Sequence, residues 1–567
     1  MIQQPNKNFF CKLDFNRWND SEIIILNEDN KVSLRNDFLS VRISQNKKSK
    51  QFYLYDRDLN ILIFFRGIIL CDSSNNFLKS ILMDYLRDDK TFAKKLNGFF
   101  SLVLIDFKKR KALSISDKTG LLKLFYSFNK NILLLSNNIS ELVTDDSSIS
   151  KEGLAQFILI NYYADDKTIY NGINKTQAGS IIFFEMNESP YENKYFDLLN
   201  HLTNLKDEKL SLKNVAASLK DIVHEYSEEN SEIITLTSGL DSRLLLSAIL
   251  SLNSKAEAFT FGVNGNLEFD IASLLTTDIN NSGEKIINHK KICLEEEFEE
   301  FVPSYLVYIK ASKNIELNFN RFHYVFVWNK LRESFTENRN ILTGLCGDSF
   351  LRNGLSSDFQ TNELLFNLIS TTNKTETIKK FLDKNEEIIK ETGLDKSFCN
   401  EYLNNLLSEF KENDKYFNHF IVKIKFSINN YFGSEVSTEN SIMPTYPVFL
   451  DTRYLDNLVR SGYSIFTNKF LDQPNRYKLK SHRFYYELIT FLYNQLNYFP
   501  TNRGFPPKYS SSYIYLPLKT IASIKMKRKN YILDLNYDKW RSLLKTDIKN
   551  DFKFETEMKL KVLSAIN

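Results

Sequence analysis

Cysteine is scarce in this 567-residue chain, and the few cysteines lie far apart. They are Cys11, Cys71, Cys293, Cys346 and Cys399. Because none of them forms a CxxC pair and no histidine-rich segment accompanies them, the spacing argues against a structural zinc site and against a disulfide framework. Thiols used in this way fit a reducing environment, so we expect the protein to be cytoplasmic.

Long apolar runs and an excess of one charge are also missing. The most apolar window, residues 59–70, is too short to span a bilayer and contains Arg66. The first residues, MIQQPNKNFF, lack the basic-then-apolar pattern of a signal peptide. A net charge of +4 is close to balance for so long a chain, so composition predicts neither a nucleic-acid partner nor a membrane partner.

The composition that is present predicts a folded protein with more than one domain. Hydrophobic residues make up 43% and charged residues 25% of the chain, as is typical of globular proteins. A chain of 567 residues is too long for one core, so two or three domains are expected. The sequence contains no internal repeat and no low-complexity segment.

The first 200 residues have the texture of short strands separated by polar turns. Strands are predicted at residues 38–43, 51–55, 61–65, 101–106, 112–116, 122–127, 132–135 and 180–184. Helices are predicted at residues 77–86 and 151–160. This pattern predicts an α+β domain with stacked, largely antiparallel sheets. Around residues 186–212 the pattern dissolves, and we interpret this stretch as the domain connection.

Beyond the connection, helices alternate with strands. Apolar residues line one face of a first helix: Val215, Leu219, Ile222, Val223 and Tyr226. A second amphipathic helix carries Ile271, Leu274, Leu275 and Ile279 and ends at Gly283. Strands are predicted at residues 233–235, 256–261 and 285–288. The alternation predicts a parallel sheet with ligands at the carboxyl ends of its strands. From about residue 360 onward, long helices are expected.

The stretch from Ile233 to Leu250 is a short strand that breaks at a Thr-Ser-Gly turn and resumes as an apolar helix. Such a turn is an anion site, because backbone N–H groups and the helix dipole point at it. Gly239 can take a positive φ or let a phosphate approach closely. Hydroxyl donors are added by Thr237, Ser238 and Ser242. Asp241 would repel a bare phosphate, which suggests a bridging Mg²⁺. The alternative is an ordinary strand-to-helix turn capped by a side chain.

A second cluster of small residues lies at residues 340–354, NILTGLCGDSFLRNG. A short strand enters Gly344, and Gly347, Asp348 and Gly354 follow. Flanking glycines let the backbone pass close to a ligand, and an acid on such a loop suits metal-bound pyrophosphate. Taken alone, such a segment is more often an ordinary loop with a turn-forming Gly-Asp pair.

Together the two clusters resemble the asparagine synthetase family, whose ATP-pyrophosphatase motif runs Ser-Gly-Gly-x-Asp-Ser. That motif is similar to residues 237–242, TSGLDS. Further segments are similar to family landmarks in the same order along the chain: Phe259–Gly262 followed by Glu268 and Asp270, then Gly344–Asp348, then Tyr446–Asp451.

The first half of the chain resembles the N-terminal nucleophile glutaminase domain of that family. The similar segments are Leu96–Phe100, Ser116–Gly120 and Phe125-Tyr126. The resemblance implies a glutaminase-like α+β domain at residues 1–200. It also implies an α/β ATP-pyrophosphatase domain, similar to adenine nucleotide α-hydrolases, at residues 201–567 with a helical C-terminal part. A homodimer is one arrangement that the resemblance leaves open.

Two departures from the family are visible. The nucleophile of the glutaminase domain is a cysteine directly after the initiator Met, whereas Ile2 here has no nucleophilic atom and Cys11 is internal. Arg66-Gly67-Ile68 stands where the family has Asn-Gly-Glu, so we expect glutamine hydrolysis to be lost. Leu345 stands where asparagine synthetases have a glutamate. β-Lactam synthetases and lasso-peptide cyclases change this position and keep the ATP site, so adenylation is better supported than asparagine formation.

The resemblance implies chemistry that uses ATP and Mg²⁺. It assigns nucleotide binding to Thr237, Ser238, Gly239, Leu240, Asp241, Ser242, Arg243, Thr260, Phe261, Gly344 and Gly347. Asp241 and Asp348 would hold the Mg²⁺, and Arg243 would add positive charge. Thr260 and Phe261 would line the adenine.

The family also uses a late lysine that stabilises charge during adenylation and amide formation. Lys478 and Lys480 are both catalytic candidates here, and spacing does not choose between them. Each reads equally well as an exposed helix lysine. His482 and Arg503 lie nearby with the same ambiguity.

Two functions from different classes follow. The first is an amide-forming ligase that activates a small-molecule or peptide carboxylate with ATP and joins it to ammonia or an amine, as in asparagine biosynthesis. The second is a non-catalytic homologue that acts as a binding or scaffold subunit. Asp241 and Asp348 favour the first, because neither acid has an obvious packing role.

Overall fold

A computed structural model describes most of the chain. The described residues are 9–19, 21–28, 31–44, 52–70, 77–205, 208–227, 232–253, 255–263, 267–294, 301–318, 321–335, 339–351, 362–467, 474–501, 504–511 and 551–566.

Within these segments, the first half of the chain forms two antiparallel sheets. One has the spatial order β11 (Asn174–Lys175), β9 (Phe125–Asn129), β10 (Ile132–Ser136), β1 (Phe9–Asp14), β4 (Leu39–Ser44), β3 (Lys31–Arg35) and β2 (Ile24–Glu28). The other has the order β13 (Tyr191–Lys194), β12 (Ser180–Glu185), β8 (Lys111–Ser116), β7 (Asn97–Asp106), β6 (Ile61–Leu70) and β5 (Tyr53–Asp56).

Apolar residues of both sheets share one core. Phe9 of β1 and Phe64 of β6 are fully buried, and their ring centroids lie 4.9 Å apart. The predicted stack of antiparallel sheets is therefore confirmed. Three helices accompany the sheets in the described first half: α1 (Phe77–Arg87), α2 (Lys151–Ile160) and α3 (Leu198–Asn204). The α2 helix has the predicted bounds, and its N-cap is Ser150, whose side chain accepts a hydrogen bond from the Gly153 N–H.

The second half contains the predicted parallel sheet. Its spatial order is β16 (Ile286–Cys293), β15 (Lys255–Gly262), β14 (Ile233–Thr235), β17 (Ile341–Thr343) and β18 (Thr445–Pro447). The chain runs outward from β14 through β15 to β16 and then crosses to β17 on the other side of β14. Ligands bind at such a reversal of strand order, beyond the carboxyl ends of the strands. Both small-residue clusters lie there, because they directly follow β14 and β17.

Helices accompany this sheet and dominate the described residues from 362 onward, as predicted. They are α4 (Leu212–Tyr226), α5 (Leu240–Leu252), α6 (Leu267–Ser282), α7 (Phe301–Ser312), α8 (His323–Ser334), α9 (Glu363–Ile369), α10 (Lys374–Lys384), α11 (Glu386–Glu391), α12 (Lys396–Leu406), α13 (Lys415–Ile421), α14 (Gly433–Ile442), α15 (Thr452–Arg460), α16 (Pro474–Tyr493) and α17 (Asp551–Ile566). A π-helix, Val422–Phe432, joins α13 to α14. Among the described helices, none has the length and apolar composition needed to cross a bilayer.

The predicted apolar face of α4 is buried at every position. In α6, however, Leu274 is 46% exposed, so the buried face includes Ile271, Leu275 and Ile279 without it. The stretch 186–212 is more than a connection, since it contains β13 and α3. β13 lies at the edge of its sheet and is mostly exposed. Its sequence Tyr-Glu-Asn-Lys therefore carries no apolar alternation to mark it as a strand.

The two halves of the chain are joined by a packed interface. One continuous hydrophobic cluster includes Phe99 of β7 and Tyr446 of β18, whose rings are stacked with centroids 6.4 Å apart. Buried Lys123 donates a hydrogen bond to the carbonyl oxygen of Asn429 in the π-helix. Buried Lys175 donates to Oδ1 of Asn430 at 3.1 Å. The domain boundary near residue 200 stays a prediction.

Candidate functional site

Hydroxyl groups shape the turn between β14 and α5. The Ser242 hydroxyl accepts a hydrogen bond from the Thr237 N–H at 3.0 Å and lies 2.9 Å from Thr237 Oγ1. Thr237 Oγ1 accepts in turn from the Gly239 N–H at 3.1 Å. Gly239 is the N-cap of α5 with a φ of −74°, so it does not use the positive φ that glycine permits. A Cβ atom placed there would meet only Thr237 Oγ1, at 3.1 Å. Among the described residues, little else therefore crowds the Cα of Gly239.

The loop that follows β17 packs directly on this turn. A Cβ atom at Gly344 would lie 2.9 Å from the backbone nitrogen of Ser242. One at Gly347 would lie 2.5 Å from Asp241 Oδ1. Only glycine allows approaches this close. The loop therefore reaches the side chain of Asp241 and brings Asp348, the residue after Gly347, to the same end of the sheet.

The carboxylates of Asp241 and Asp348 both influence the hydroxyl of Tyr485 on α16. The hydroxyl of Tyr485 donates a hydrogen bond to Asp241 Oδ1. Burial raises the pKa of Tyr485 well above its usual value, and the negative charges of Asp241 and Asp348 raise it further. Both carboxylates thus lie within electrostatic reach of one phenol. Sequence reasoning missed Tyr485, because the two partners are 244 positions apart and nothing in the local pattern marks the tyrosine.

The residue types of this pair suit the predicted magnesium ion, and its binding here stays a prediction. Proteins usually supply Mg²⁺ with one or two carboxylates, and water and phosphate complete its shell. In the part of the chain that the structure describes, no three or more His, Cys, Asp and Glu side chains gather into a metal cage. Asp241 and Asp348 are both half-buried, so they retain access to a ligand at the turn.

A third acid, Glu268 of α6, lies beside the turn. The Ser238 hydroxyl donates to Glu268 Oε1 at 3.4 Å. Burial raises the pKa of Glu268, and its hydrogen bonds with Ser238 oppose that rise. Asp270, the second acid of this segment, is exposed. Glu268 therefore belongs to the surroundings of the turn and Asp270 does not.

Thr260 and Phe261 lie on β15, next to β14. The Thr260 hydroxyl is buried, donates to the Leu236 carbonyl at 2.6 Å and lies 2.8 Å from His289 Nε2. The half-buried ring of Phe261 packs edge-on against Tyr324, with centroids 5.2 Å apart. The hydroxyl is thus engaged inside the protein, and the aromatic surface is the part that suits a flat ring. The adenine role of these residues stays a prediction.

Arg243 is directed elsewhere. Its guanidinium is buried and donates to the backbone carbonyls of Leu496 at 3.2 Å, Phe499 at 2.6 Å and Pro500 at 2.7 Å. Burial lowers the pKa of Arg243 to about 9. These contacts engage the guanidinium inside the protein, and the role of Arg243 at the pyrophosphate stays a prediction. A helix residue two positions after Asp241 points away from it, so the guanidinium stabilises the segment that follows α16 instead.

The late lysines are separated by their surroundings. The Lys480 ammonium donates to the Gly462 carbonyl, and it lies 5.0 Å from the centroid of the Tyr463 ring. Lys478 lies on α16 and precedes Tyr485 by two helical turns, but its side chain is outside the described residues. His482 is buried, and Arg503 also lies outside the described residues.

Other residues of the glycine loop are held by the protein. Cys346 has a φ of +62°, and burial raises the pKa of its thiol to about 12. Leu345 is half-buried against the hydrophobic core, and Leu240 of α5 packs there too. Lys423 of the π-helix, which sequence reasoning did not single out, donates to the Ser349 carbonyl at 2.7 Å. The loop that carries Asp348 is therefore anchored on the π-helix.

The landmarks of the first half come together around a buried acid. Asp117 accepts hydrogen bonds from the backbone N–H groups of Thr119 at 2.7 Å, Gly120 at 2.8 Å and Phe100 at 3.3 Å. Gly67 of β6 pairs with Phe100 of β7. Ile2 lies outside the described residues, so the absence of a glutaminase nucleophile stays a prediction.

A comparison with protein families matches residues 78–196 to a glutamine amidotransferase domain. A comparison with curated proteins finds no match. The match identifies an amidotransferase-type segment in the first half of the chain.

Solved structures give only low similarity scores. Glutamine phosphoribosylpyrophosphate amidotransferase from B. subtilis, complexed with ADP and GMP, matches with 8% identity and a TM-score of 0.21, over 40% of this chain and 60% of its own. An allosteric regulatory enzyme of purine biosynthesis matches with 6% identity and a TM-score of 0.21, over 50% and 74%. NMN synthetase from Francisella tularensis matches with 14% identity and a TM-score of 0.20, over 38% and 92%. Scores this low carry no argument about function.

Proposed function

We propose that this protein is an ATP-dependent, AMP-forming amide ligase of the asparagine synthetase type. The observation that carries the proposal is the contact between the Asp241 carboxylate and Gly347, the neighbour of Asp348, where the strand order of the parallel sheet reverses. A strand-to-helix turn with one acid on it and a second acid on the adjoining loop suits a metal-bound diphosphate. The glutamine amidotransferase match supports the class of amide transfer.

In the proposed reaction, a carboxylate oxygen of the substrate attacks the α-phosphorus of ATP. An acyl-adenylate forms, and the bond from the α-phosphorus to the pyrophosphate oxygen breaks. Ammonia or an amine then attacks the acyl carbon, and AMP leaves with the electrons of the broken C–O bond. The substrate is a small-molecule or peptide carboxylate. Because Arg66-Gly67-Ile68 stands where the family has Asn-Gly-Glu, glutamine is not the proposed nitrogen donor.

The residues of the turn stabilise the departing pyrophosphate in this proposal. The N-terminal N–H groups of α5 and the hydroxyls of Thr237 and Ser242 supply fixed donors. Asp241 and Asp348 hold Mg²⁺, which when bound neutralises phosphate charge. Lys478 is the preferred late cation, since the Lys480 ammonium already has a carbonyl partner.

Exchange of labelled pyrophosphate into ATP tests the proposal. Purified protein is supplied with ATP, Mg²⁺ and a panel of carboxylic acids, and we expect exchange with at least one acid. Asp241→Asn and Asp348→Asn are each expected to reduce exchange by at least ~100-fold, because they remove the charge that holds the metal. Asp270→Asn is the matched control, since this neighbouring acid is exposed and is expected to retain exchange.

The scaffold alternative predicts a different result. A non-catalytic homologue would show no exchange with any acid and would not bind ATP. Full exchange activity in Asp241→Asn would also contradict the proposed site, whichever acid is the substrate.

A further inference from the structure

Tyr485 lies on α16 and contacts Asp241 at the N-terminus of α5. Tyr485 is 2% exposed, and its neighbours Phe484, Leu488 and Ile489 are fully buried. The helix packs against α4 and α5. A rigid helix therefore holds the phenol in place, while its hydroxyl donates to Oδ1 of Asp241.

A phenol is suited to hold a metal-binding carboxylate. It donates one hydrogen bond and fixes the orientation of the acid. Unlike Lys or Arg, it carries no positive charge that would compete with the metal for the carboxylate. Asp241 is in the first turn of α5 and half-buried, and the hydrogen bond from Tyr485 restricts the rotamers that its side chain can adopt.

A second buried tyrosine provides an internal comparison. Tyr454 of α15 is 1% exposed and lies close enough to Asp241 that this charge raises its pKa. Among the described residues, however, its hydroxyl has no hydrogen-bond partner. The two tyrosines share burial and proximity to Asp241, and they differ in the hydrogen bond.

We propose that Tyr485 is a positioning residue that orients the Asp241 carboxylate for a metal-bound nucleoside triphosphate. This inference rests on the proposed function and deepens it, because it adds α16 to the site as a third supporting segment. Tyr485 acts through Asp241 and does not itself touch the nucleotide. Its loss should therefore weaken binding that depends on Mg²⁺ and spare binding that does not.

Calorimetric titration of the full chain with ATP, with Mg²⁺ or with EDTA, tests the inference. Tyr485→Phe keeps the ring and removes only the hydroxyl. We expect it to raise the Kd for ATP in Mg²⁺ by about tenfold, since a hydrogen bond to a charged group is lost. The Kd in EDTA should be unchanged. Tyr454→Phe should match the wild type in both titrations.

The double variant Tyr485→Phe/Asp241→Asn distinguishes a positioning role from a general loss of packing. If Tyr485 acts through Asp241, then Tyr485→Phe adds little to the effect of Asp241→Asn on Mg²⁺-dependent binding. Additive effects of the two substitutions, or equal weakening with and without Mg²⁺, would overturn the positioning role. So would wild-type affinity of Tyr485→Phe in Mg²⁺.

Titration of the wild-type protein distinguishes failure of the proposed function from failure of the role proposed for Tyr485. Absence of ATP binding by the wild type would overturn the proposed function and the role of Tyr485 with it. Binding by the wild type and an unchanged Tyr485→Phe variant would overturn the role of Tyr485 alone.

Discussion

At the scale of single residues, the glycines of the second cluster have a role that differs from the expected one. We expected them to let the backbone approach a ligand, and their closest contacts are instead with the turn of the first cluster. Gly344 lies against the backbone of Ser242, and Gly347 lies against the carboxylate of Asp241. At Gly239 of the first cluster, by contrast, an added Cβ atom would meet only Thr237 Oγ1 among the described residues. Gly344 and Gly347 therefore let the loop pack on the turn, whereas Gly239 leaves room for a ligand.

Gly347→Ala tests this assignment. The new Cβ would lie 2.5 Å from Asp241 Oδ1 and 2.8 Å from its Cγ, so the carboxylate must move. A misplacement on the order of 1 Å is expected to reduce pyrophosphate exchange by about a hundredfold. Thermal unfolding should change little. Gly239→Ala is the comparison, since it should leave the ligand-free protein intact and weaken nucleotide binding only. Full exchange activity of Gly347→Ala would show that the Asp241 position is not critical.

At the scale of elements, two side chains near the N-terminus of α5 point in different directions. Asp241 faces the glycine loop, whereas Arg243 reaches the carbonyls that follow α16. α16 thus contacts α5 twice, once through Tyr485 and once through the segment that it leads into. The topology of the sheet places the turn, and α16 secures it.

Arg243→Leu should destabilise the protein and not only its site. The substitution removes charge-assisted hydrogen bonds to three carbonyls, of which that of Leu496 belongs to a buried residue. We expect a loss of roughly 3 kcal/mol in the free energy of unfolding, measured with urea. Arg460→Leu is the control, because Arg460 forms an exposed ion pair with Glu208 that is worth less than about 1 kcal/mol. If Arg243→Leu is as stable as the wild type but has impaired exchange, the result would instead support the predicted role of Arg243 at the pyrophosphate.

At the scale of the whole molecule, the glutaminase-like half is coupled to the candidate site through the π-helix. Lys123 and Lys175 hold Asn429 and Asn430 of that helix. Lys423, in the first turn of the same helix, holds the loop of Asp348. π-Helical segments are rare and often lie at functional sites. The first half therefore contacts the helix that holds the loop of Asp348.

The free energy of unfolding should depend on pH through Lys123, a buried lysine of this interface. Burial, together with the charge of Lys175, lowers the pKa of Lys123 to about 7, although Glu316 and Asp117 oppose the shift. Above that pH the unfolded chain still binds a proton at this lysine and the folded protein does not, up to the usual pKa near ~10.4. The free energy of unfolding should therefore rise between pH 7 and pH 9 through this group.

Lys123→Met should reduce that rise, as measured by urea unfolding at several pH values. Lys380→Met is the control, because Lys380 has a side chain that is 75% exposed and should leave the slope unchanged. An unaltered slope in Lys123→Met would contradict the assignment of the titration to this interface.

The sequence alone determined the elements and the order of the motifs. Alternation of apolar residues marked most strands of the first half, and the strand-to-helix turn at residues 237–242 was visible from its small residues and its acid. These features are local, so a short window of sequence contains them. β13 escaped prediction because an exposed edge strand carries no apolar alternation.

Only the tertiary structure decided which residues meet. The crossing from β16 to β17 brings Gly347 against Asp241, and α16 delivers Tyr485 from 244 positions away. It also turns Arg243 away from the site that its neighbour Asp241 faces. Contacts across such separations depend on strand order and helix packing, which no local pattern of residues encodes.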